Sequence, residues 1–428
     1  MGIRKAALFL SAALFLALSP IDAMAQTQNP GPPPQAQTTP VITPPQQDVV
    51  REQPVAVLDR ARPEYDPPGR RLGGFELNAS LNLDATSTDN LFAATDAFEE
   101  DDIVYEVTPT ARLVSGWSRH ALAFEGSYTS TTHADFDSED AETYYVRGNG
   151  RLDIGDASSV SAAARAAHQV TPRTDPDAPS FLNPPTEYDR YDVTVGAQHR
   201  FARVLVRGDV DWIEYDYEGA QDFRDNEESR IRGRAEIDIT PRLDLLLQAS
   251  ADEFEYTNQP NLDSEGQTYL VGVALDGDLV TGEISAGYFE RDYEDPNVDT
   301  FDGLAVAAAV EWYITRLTTI TFTGRQDADD QIGASAQPFV TTELGLRVDH
   351  ELLRNLILSL AGLAGERDYE DFDRNDEYTE FEFGADWLLN PHAVVRLRYE
   401  YDDVESDGTQ ARPEFDVNAV TLGLSLRL

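Results

Sequence analysis

The sequence predicts an all-β fold, a single transmembrane antiparallel up-and-down β-barrel of about 18 strands, with 16 strands as the nearest alternative. Three observations predict this fold. Apolar and polar residues alternate along the predicted strands, short turns and long acidic stretches follow one another regularly, and an export signal stands at the N-terminus. A barrel wall in lipid requires such alternation, because one set of side chains faces lipid and the other faces water.

Residues 1–25 are predicted to be a secretory signal peptide. Arg4 and Lys5 precede an apolar run over residues 6–18, and a small-x-small site follows at residues 23–25. This order is typical of a segment that is cleaved on export. The apolar run is too short to span a bilayer as a helix, and no later run is longer. The chain contains no Cys, so a disulfide framework is excluded.

Residues 26–70 are rich in Pro, Gln and Thr and show no apolar periodicity. A segment of this composition cannot bury a core, so we expect a disordered periplasmic tail. An inert spacer is its simplest role, and contact with peptidoglycan or a partner is the alternative. The barrel is then predicted to occupy residues 71–428.

From residue 73 onward the chain repeats one unit, in which a strand, a long acidic stretch, a second strand and a short turn follow one another. Eight short turns imply nine hairpins, and therefore 18 strands with both ends on the periplasmic side. The predicted turns lie at Trp117-Ser118, Gly155-Asp156, Arg200-Phe201, Thr240-Pro241, Gly277-Asp278, Thr315-Arg316, Leu353-Arg354 and Asn390-Pro391.

Charge is the second global feature, because 78 Asp and Glu residues oppose 33 Lys and Arg residues and give a net charge of −45. Such a surface excludes nucleic acid as a partner. The carboxylates concentrate in the long stretches, which face the cell exterior in outer-membrane barrels. We therefore expect calcium or magnesium to bind loosely at the extracellular loops and to bridge to lipopolysaccharide phosphates, and we expect no dedicated cofactor.

One acidic stretch partly matches a calcium-binding loop. Asp371, Asp373 and Asn375 have the alternating spacing of its first ligands, but Asp376 stands where that loop needs Gly for a sharp turn. These three residues are weak metal candidates, and no specific metal site is predicted.

Charged residues also alternate with apolar ones inside the predicted strands, which assigns them to a wet lumen. Folding the chain about residues 390–391 places Asp386 opposite Arg396. Two interpretations are open: a charged constriction that selects solutes, or ion pairs that fill and neutralise the wall. The candidate lumen residues are Arg207, Asp209, Asp211, Arg230, Arg232, Arg234, Glu236, Asp238, Glu382, Asp386, Arg396, Arg398 and Glu400.

Catalysis has little support in the sequence. The six histidines are scattered, and no two have the spacing of metal ligands. A hydrolase would need a His beside a nucleophile on neighbouring strands, and His168 is the single strand candidate. No catalytic residue is predicted, and the protein is not expected to be an enzyme.

A first strand that runs into an Asp-Asn-x-Phe loop, Leu81 to Phe92, resembles the putative beta-barrel porin 2 family. The turns at residues 240–243, 315–317 and 353–356 fit that family as well. The resemblance spans about residues 71–428. It implies an outer-membrane barrel, often found with exopolysaccharide synthesis and export systems, and offers no catalytic residues.

From these observations we expect an outer-membrane protein of a Gram-negative bacterium. The leading function is passive passage of hydrophilic solutes, with saccharides or exopolysaccharide as candidates. The alternative is a non-conducting structural or surface-interaction barrel whose acidic loops bind divalent cations, lipopolysaccharide or secreted polysaccharide. Expected partners are outer-membrane lipid and lipopolysaccharide, the barrel assembly machinery and, as a further candidate, polysaccharide.

Overall fold

The computed structural model describes residues 55–175, 178, 183–296, 298–332, 336–370 and 373–428. The predicted signal peptide and residues 26–54 of the predicted tail lie outside these ranges. The described residues form the strands β1 Arg70–Leu72, β2 Phe75–Thr88, β3 Asp102–Ser115, β4 Ala121–His133, β5 Ala141–Ile154, β6 Ser158–Val170, β7 Glu187–Phe201, β8 Val204–Tyr217, β9 Asn226–Thr240, β10 Leu243–Tyr256, β11 Ser264–Asp276, β12 Val280–Tyr293, β13 Phe301–Thr315, β14 Thr318–Ile332, β15 Ala336–Leu353, β16 Leu356–Tyr369, β17 Asn375–Asn390, β18 Ala393–Asp407 and β19 Phe415–Arg427.

Strands β2 to β19 form a closed antiparallel barrel of 18 strands, so the predicted strand number is confirmed and the alternative of 16 is wrong. Each strand pairs with the next in sequence. The ring closes where β19 pairs with β2, from Ala419 opposite Thr88 to Arg427 opposite Ser80. Closure leaves none of these strands with an unpaired edge. The short β1 pairs with β2 alone.

The connections alternate between short and long, as the sequence predicts. All eight short turns occur within two residues of their predicted positions; the turn predicted at Arg200-Phe201 lies at residues 202–203, because both predicted residues belong to β7. The end of the barrel that carries them is called here the short-turn end, and the opposite end the long-loop end. The short connections span residues 116–120, 155–157, 202–203, 241–242, 277–279, 316–317, 354–355 and 391–392.

The strands continue further into the acidic stretches than the sequence predicts. The acidic residues Asp327, Asp329 and Asp330 lie within β14, and Glu214 and Asp216 lie within β8. Strand ends that project beyond lipid meet water on both faces, so they carry no apolar alternation for sequence reasoning to detect. The described residues contain three short 3₁₀ helices, at Asp137–Glu139, Gly219–Arg224 and Pro260–Leu262, and no helix that is long and apolar enough to cross a membrane.

The two faces of the wall have opposite chemistry. In β19, Leu422 is 60% exposed on the outside, whereas Ser425 is 5% exposed on the inside. Exposed apolar residues outside and buried polar residues inside are the pattern that lipid requires of a barrel. Exposed aromatic residues gather near the short-turn end at Trp117, Phe201, Trp312 and Trp387, and toward the long-loop end at Tyr128, Tyr144, Tyr191 and Tyr288.

Part of the segment that composition assigns to the disordered tail packs on the barrel. Residues 55–66, assigned from composition to the disordered tail, pack against the barrel wall at the short-turn end. Composition misled the prediction because the partners of this segment lie on strands about 260 to 360 positions later in the chain.

Candidate functional site

The candidate site is the lumen, and all thirteen sequence-predicted lumen residues lie on the inward-facing positions of β8, β9, β17 and β18. Their sequence neighbours point the other way. Val210 is exposed on the outside next to Asp209, and Leu397 is exposed between Arg396 and Arg398. Strand alternation alone positions these side chains, because successive residues of a strand face opposite sides of the sheet.

On β8 and β9 the predicted lumen charges form a network of ion pairs. Arg207 and Arg234 are opposite each other in register, a like-charge pairing that costs stability unless it is compensated. Glu236 compensates it, with Oε1 lying 3.4 Å from Arg207 Nε and 3.0 Å from Arg234 Nε. Arg234 also donates to Glu283 on β12, at 2.5 Å and 3.3 Å. This part of the wall is therefore filled and neutralised by pairing.

Other charged lumen residues of β8 and β9 are also neutralised by ion pairs. Arg232 Nη2 lies 3.3 Å from Asp211 Oδ2, and Arg230 pairs with Glu228 on its own strand. Asp238 accepts hydrogen bonds from Arg200 at 3.1 Å and 3.2 Å. Asp209 is buried among them.

A second group of charges joins β17 and β18 to the closing strands. Asp386 is opposite Arg396 in register, as expected, but the two do not pair with each other. Arg398 Nη2 donates to Asp386 Oδ1 at 2.7 Å, and Arg396 Nη2 donates to both oxygens of Asp84 on β2, at 2.8 Å and 2.9 Å. A guanidinium on a long side chain reaches diagonal and more distant partners, so register alone did not identify the pair.

The contact between Arg396 and Asp84 depends on Gly423 of β19, which lies between them in register. A Cβ atom at residue 423 would lie 2.1 Å from Asp84 Oδ1 and 3.1 Å from Arg396 Nε. Sequence reasoning missed Asp84, although its alternation with Leu83 and Ala85 was a usable signal. Its partner lies 312 positions away, and the sequence offered no means of finding it.

Carboxylates crowd the lumen on β17 and β18. Glu380 is opposite Asp402, and Glu382 is opposite Glu400. Glu382 has Arg347 and Arg398 within 3.8 Å and 3.7 Å. Glu380, Glu400 and Asp402 form no ion pair with any residue in the described part of the chain. We call Glu380, Glu382, Glu400 and Asp402 the acidic face; sequence reasoning proposed two of the four and missed Glu380 and Asp402.

Arginine and tyrosine side chains line a separate part of the lumen. Arg147 on β5 and Arg165 on β6 are opposite each other in register. The Arg165 guanidinium lies 5.5 Å from the centre of the Tyr145 ring, and Arg190 lies 5.1 Å from the centre of the Tyr215 ring. Both distances allow cation–π attraction. The lumen therefore presents an acidic face and a basic, aromatic region on different strands.

The three weak metal candidates are not brought together in the described residues. Asp371 lies outside those residues. Asp373 accepts a hydrogen bond from the Thr409 N–H at 3.1 Å, and hydrogen bonding by Thr409 holds the pKa of Asp373 below its usual value. Asn375 instead donates to Glu366 at 2.6 Å. Across the described ranges, no group of three or more His, Cys, Asp or Glu side chains has the arrangement of a metal site.

His168, the histidine considered for catalysis, lies on the outer face of β6. Its Nδ1 is 2.8 Å from Asp189 Oδ1, and its ring stacks on Tyr144 with the centroids 5.3 Å apart. This His–Asp pair therefore does not face the lumen.

A family model described as putative beta-barrel porin 2 matches residues 62–428 of the chain. No curated protein matches it. Among solved structures, OccK2 (OpdF) of Pseudomonas aeruginosa in complex with glucuronate is 12% identical, with a TM-score of 0.47 over 82% of this chain and 98% of that one. OpdL of the same species is 13% identical, with a TM-score of 0.44 over 83% and 100%. OccAB4 of Acinetobacter baumannii is 9% identical, with a TM-score of 0.45 over 83% and 99%.

Proposed function

The chain belongs to the putative beta-barrel porin 2 family, and from that premise we propose that it is a channel for passive passage of hydrophilic solutes across the outer membrane. The observation that carries the proposal is a closed barrel of 18 strands whose interior is lined by charged side chains. Barrels of 16 to 18 strands are wide enough for an aqueous channel. In this proposal the protein carries out no chemical reaction.

The orientation that we propose follows from the two ends of the barrel. Long loops face the cell exterior in outer-membrane barrels, and short turns face the periplasm. The acidic loops would then form the extracellular mouth, and the short-turn end, where β1 lies, would face the periplasm. Calcium or magnesium held loosely by the loops, with lipopolysaccharide phosphates bound to them, belongs to the same proposal.

The charge distribution supports a preference for cations. The acidic face holds three carboxylates without an ion-pair partner among the described residues, whereas most lumen arginines are paired with carboxylates. Unpaired charge in a narrow channel sets which ions accumulate there. Neutral saccharides would pass with less discrimination, and the tyrosines of the basic, aromatic region offer them hydroxyl groups and ring faces. A role in exopolysaccharide export rests on the family resemblance alone.

One observation favours the alternative of a non-conducting structural or surface-interaction barrel. Residues 55–66 lie inside the short-turn end and occupy part of its opening. A barrel closed in this way would act through its acidic loops, by binding divalent cations, lipopolysaccharide or secreted polysaccharide.

Single-channel recording of the purified protein in a planar bilayer distinguishes the two functions. A channel gives discrete, reproducible conductance steps in potassium chloride, whereas a non-conducting barrel gives none. Folding of the same sample is checked by the shift of its gel band on heating. A folded protein that gives no steps would contradict the channel.

A further inference from the structure

Residues 55–66, called here the N-terminal strap, lie inside the barrel. Val57 is 0% exposed and packs with Ile357, Leu388 and Val394 of β16, β17 and β18. The next residue along β17, Leu389, is 42% exposed on the outside, so Leu388 faces the lumen. The strap therefore occupies space within the opening at the short-turn end.

Hydrogen bonds and ion pairs attach the strap to two further strands. The Val57 N–H donates to Thr319 Oγ1 on β14 at 3.0 Å. Arg60 Nη1 and Arg62 Nη2 each lie 3.0 Å from the same oxygen of Glu351 on β15. Glu351 and Arg62 are both buried. One carboxylate therefore holds two guanidinium groups of the strap.

Arg62 also shapes the strap itself. Its Nη2 donates to the Val57 carbonyl at 2.7 Å, so this hydrogen bond closes a loop between residues 57 and 62. Farther along, Arg354 donates to the Ala61 carbonyl at 3.1 Å, and Arg427 of β19 donates to the Tyr65 carbonyl at 2.9 Å. The strap thus contacts a continuous series of strands, from β14 to β19.

Two glycines flank the short β1 that connects the strap to the barrel wall. Gly69 and Gly73 have φ values of +60° and +64°, a region in which glycine is favoured. A Cβ atom at Gly73 would meet no atom within 4 Å, so the chain is open to solvent there. The chain therefore bends on both sides of β1 and is open at Gly73, whereas at Gly69 it packs against β2, because a Cβ atom there would lie 2.8 Å from side-chain atoms of Glu76 and Asn78.

We infer that the strap is a gate. It restricts the short-turn opening while Arg60 and Arg62 are ion-paired with Glu351, and the opening widens when these ion pairs break and the strap moves away. The inference rests on the proposed channel. Val57 is the strap's fully buried apolar side chain, Leu58 and Tyr65 pack partly buried on the same cluster, and the other named attachments are polar. Water replaces the polar contacts once the strap lifts, so release costs mainly the exposure of this small apolar cluster.

The first test compares two double variants of the full chain that each lose two arginines. R60Q/R62Q removes the contacts to Glu351, and R70Q/R71Q makes the same charge change on β1, where both side chains are exposed. We expect R60Q/R62Q to raise the mean single-channel conductance roughly twofold, because open cross-section sets the current through a barrel of this width. R70Q/R71Q should match the wild type.

The second test uses the absence of native Cys. V57C/T319C places one thiol on each of two residues that are in contact, since the Val57 N–H lies 3.0 Å from Thr319 Oγ1. We expect oxidation to cross-link the two thiols and to lower the single-channel conductance. A reductant should break the cross-link and restore the higher conductance. Failure of the folded double variant to cross-link would overturn the placement of the strap and the gate with it.

The remaining outcomes separate the gate from the channel. Equal conductance in the wild type, R60Q/R62Q and the oxidised and reduced V57C/T319C proteins would overturn the gate and leave the channel standing. Folded variants that all fail to conduct, including R60Q/R62Q, would overturn both the proposed function and its gate, while the cross-link would still report where the strap lies.

Discussion

Arg396 on β18 and Asp84 on β2 form a two-hydrogen-bond ion pair that passes over β19, the strand that closes the barrel. Both side chains are buried. The pair therefore braces the closing seam independently of the backbone hydrogen bonds between β19 and its two neighbours.

Replacing Gly423 with Ala should weaken this seam. The new Cβ atom would lie 2.1 Å from Asp84 Oδ1, so the ion pair must separate or the strand must shift. We expect the folded gel band of the variant to convert to the unfolded band at a lower temperature than that of the wild type. Gly362→Ala is the matched control, because the nearest atom to its new Cβ is 3.8 Å away. Equal conversion temperatures for the two variants would contradict the role of the pair.

Removing one member of the pair should lower the free energy of unfolding more than removing both members does. Asp84→Ala leaves a buried guanidinium without its carboxylate, which costs about 3–5 kcal/mol, whereas an apolar replacement of both partners is often nearly neutral. We expect denaturant titration in detergent to show a large loss of stability for Asp84→Ala. The double variant Asp84→Ala/Arg396→Met should recover part of that stability. A double variant that is less stable than the single variant would be inconsistent with a desolvated pair.

The lipid face can be tested on neighbouring residues of β19. Leu422 is exposed on the outside, and Thr421 faces the lumen, where it bonds Thr86 at 2.8 Å. Leu422→Arg should reduce the yield of folded barrel, because a charge near the bilayer midplane on the outer face costs about 2–4 kcal/mol. Thr421→Arg should assemble better, since its side chain meets water. Equal yields would mean that the two faces are assigned wrongly.

Ion selectivity should depend on the acidic face. We expect reversal potentials under a salt gradient to show cation preference for the wild type and a weaker preference for Glu380→Gln/Asp402→Asn. The preference should also fall as salt rises, because exposed charges are screened beyond about 10 Å at 0.1 M. Glu377→Gln/Asp403→Asn is the matched control, since it makes the same charge change on the outward positions of the same two strands. An anion preference would show that the lumen arginines dominate.

Membrane orientation should follow loop length. Single Cys residues placed at the exposed positions Asp137 and Asp373, in long loops, should react with an impermeant thiol reagent in whole cells. Cys at Ser118 and Asp156, in short turns, should react after the outer membrane is permeabilised. The opposite pattern would reverse the proposed topology.

The sequence predicted the barrel, its strand number and all eight turns because these depend on local signals. Alternation fixes which residues face the lumen, and turn residues fix where strands end. It follows that the lumen residues of β9, such as Arg232 and Arg234, could be assigned without a structure. The family assignment rested on short motifs of the same local kind.

Partners across the lumen could not be predicted, because they depend on the closure of the ring. Asp386 was assigned its correct position opposite Arg396, yet its ion pair is with Arg398. The burial of Val57 and Arg62 was missed for a related reason. A Pro-rich neighbourhood indicates disorder, and the groove that receives these two residues exists after β14 to β19 have assembled.

The pairing of β19 with β2 also sets the order in which this chain can fold. Thr86 and Thr421 bond across that seam although they are 335 positions apart in the sequence. Contacts between distant residues cost the most chain entropy and form slowly. Until they form, the first and the last strand each expose a row of unpaired backbone groups that any other strand can join. The interval between the folding of β2 and the arrival of β19 is therefore when a nascent chain is most open to pairing with the wrong molecule.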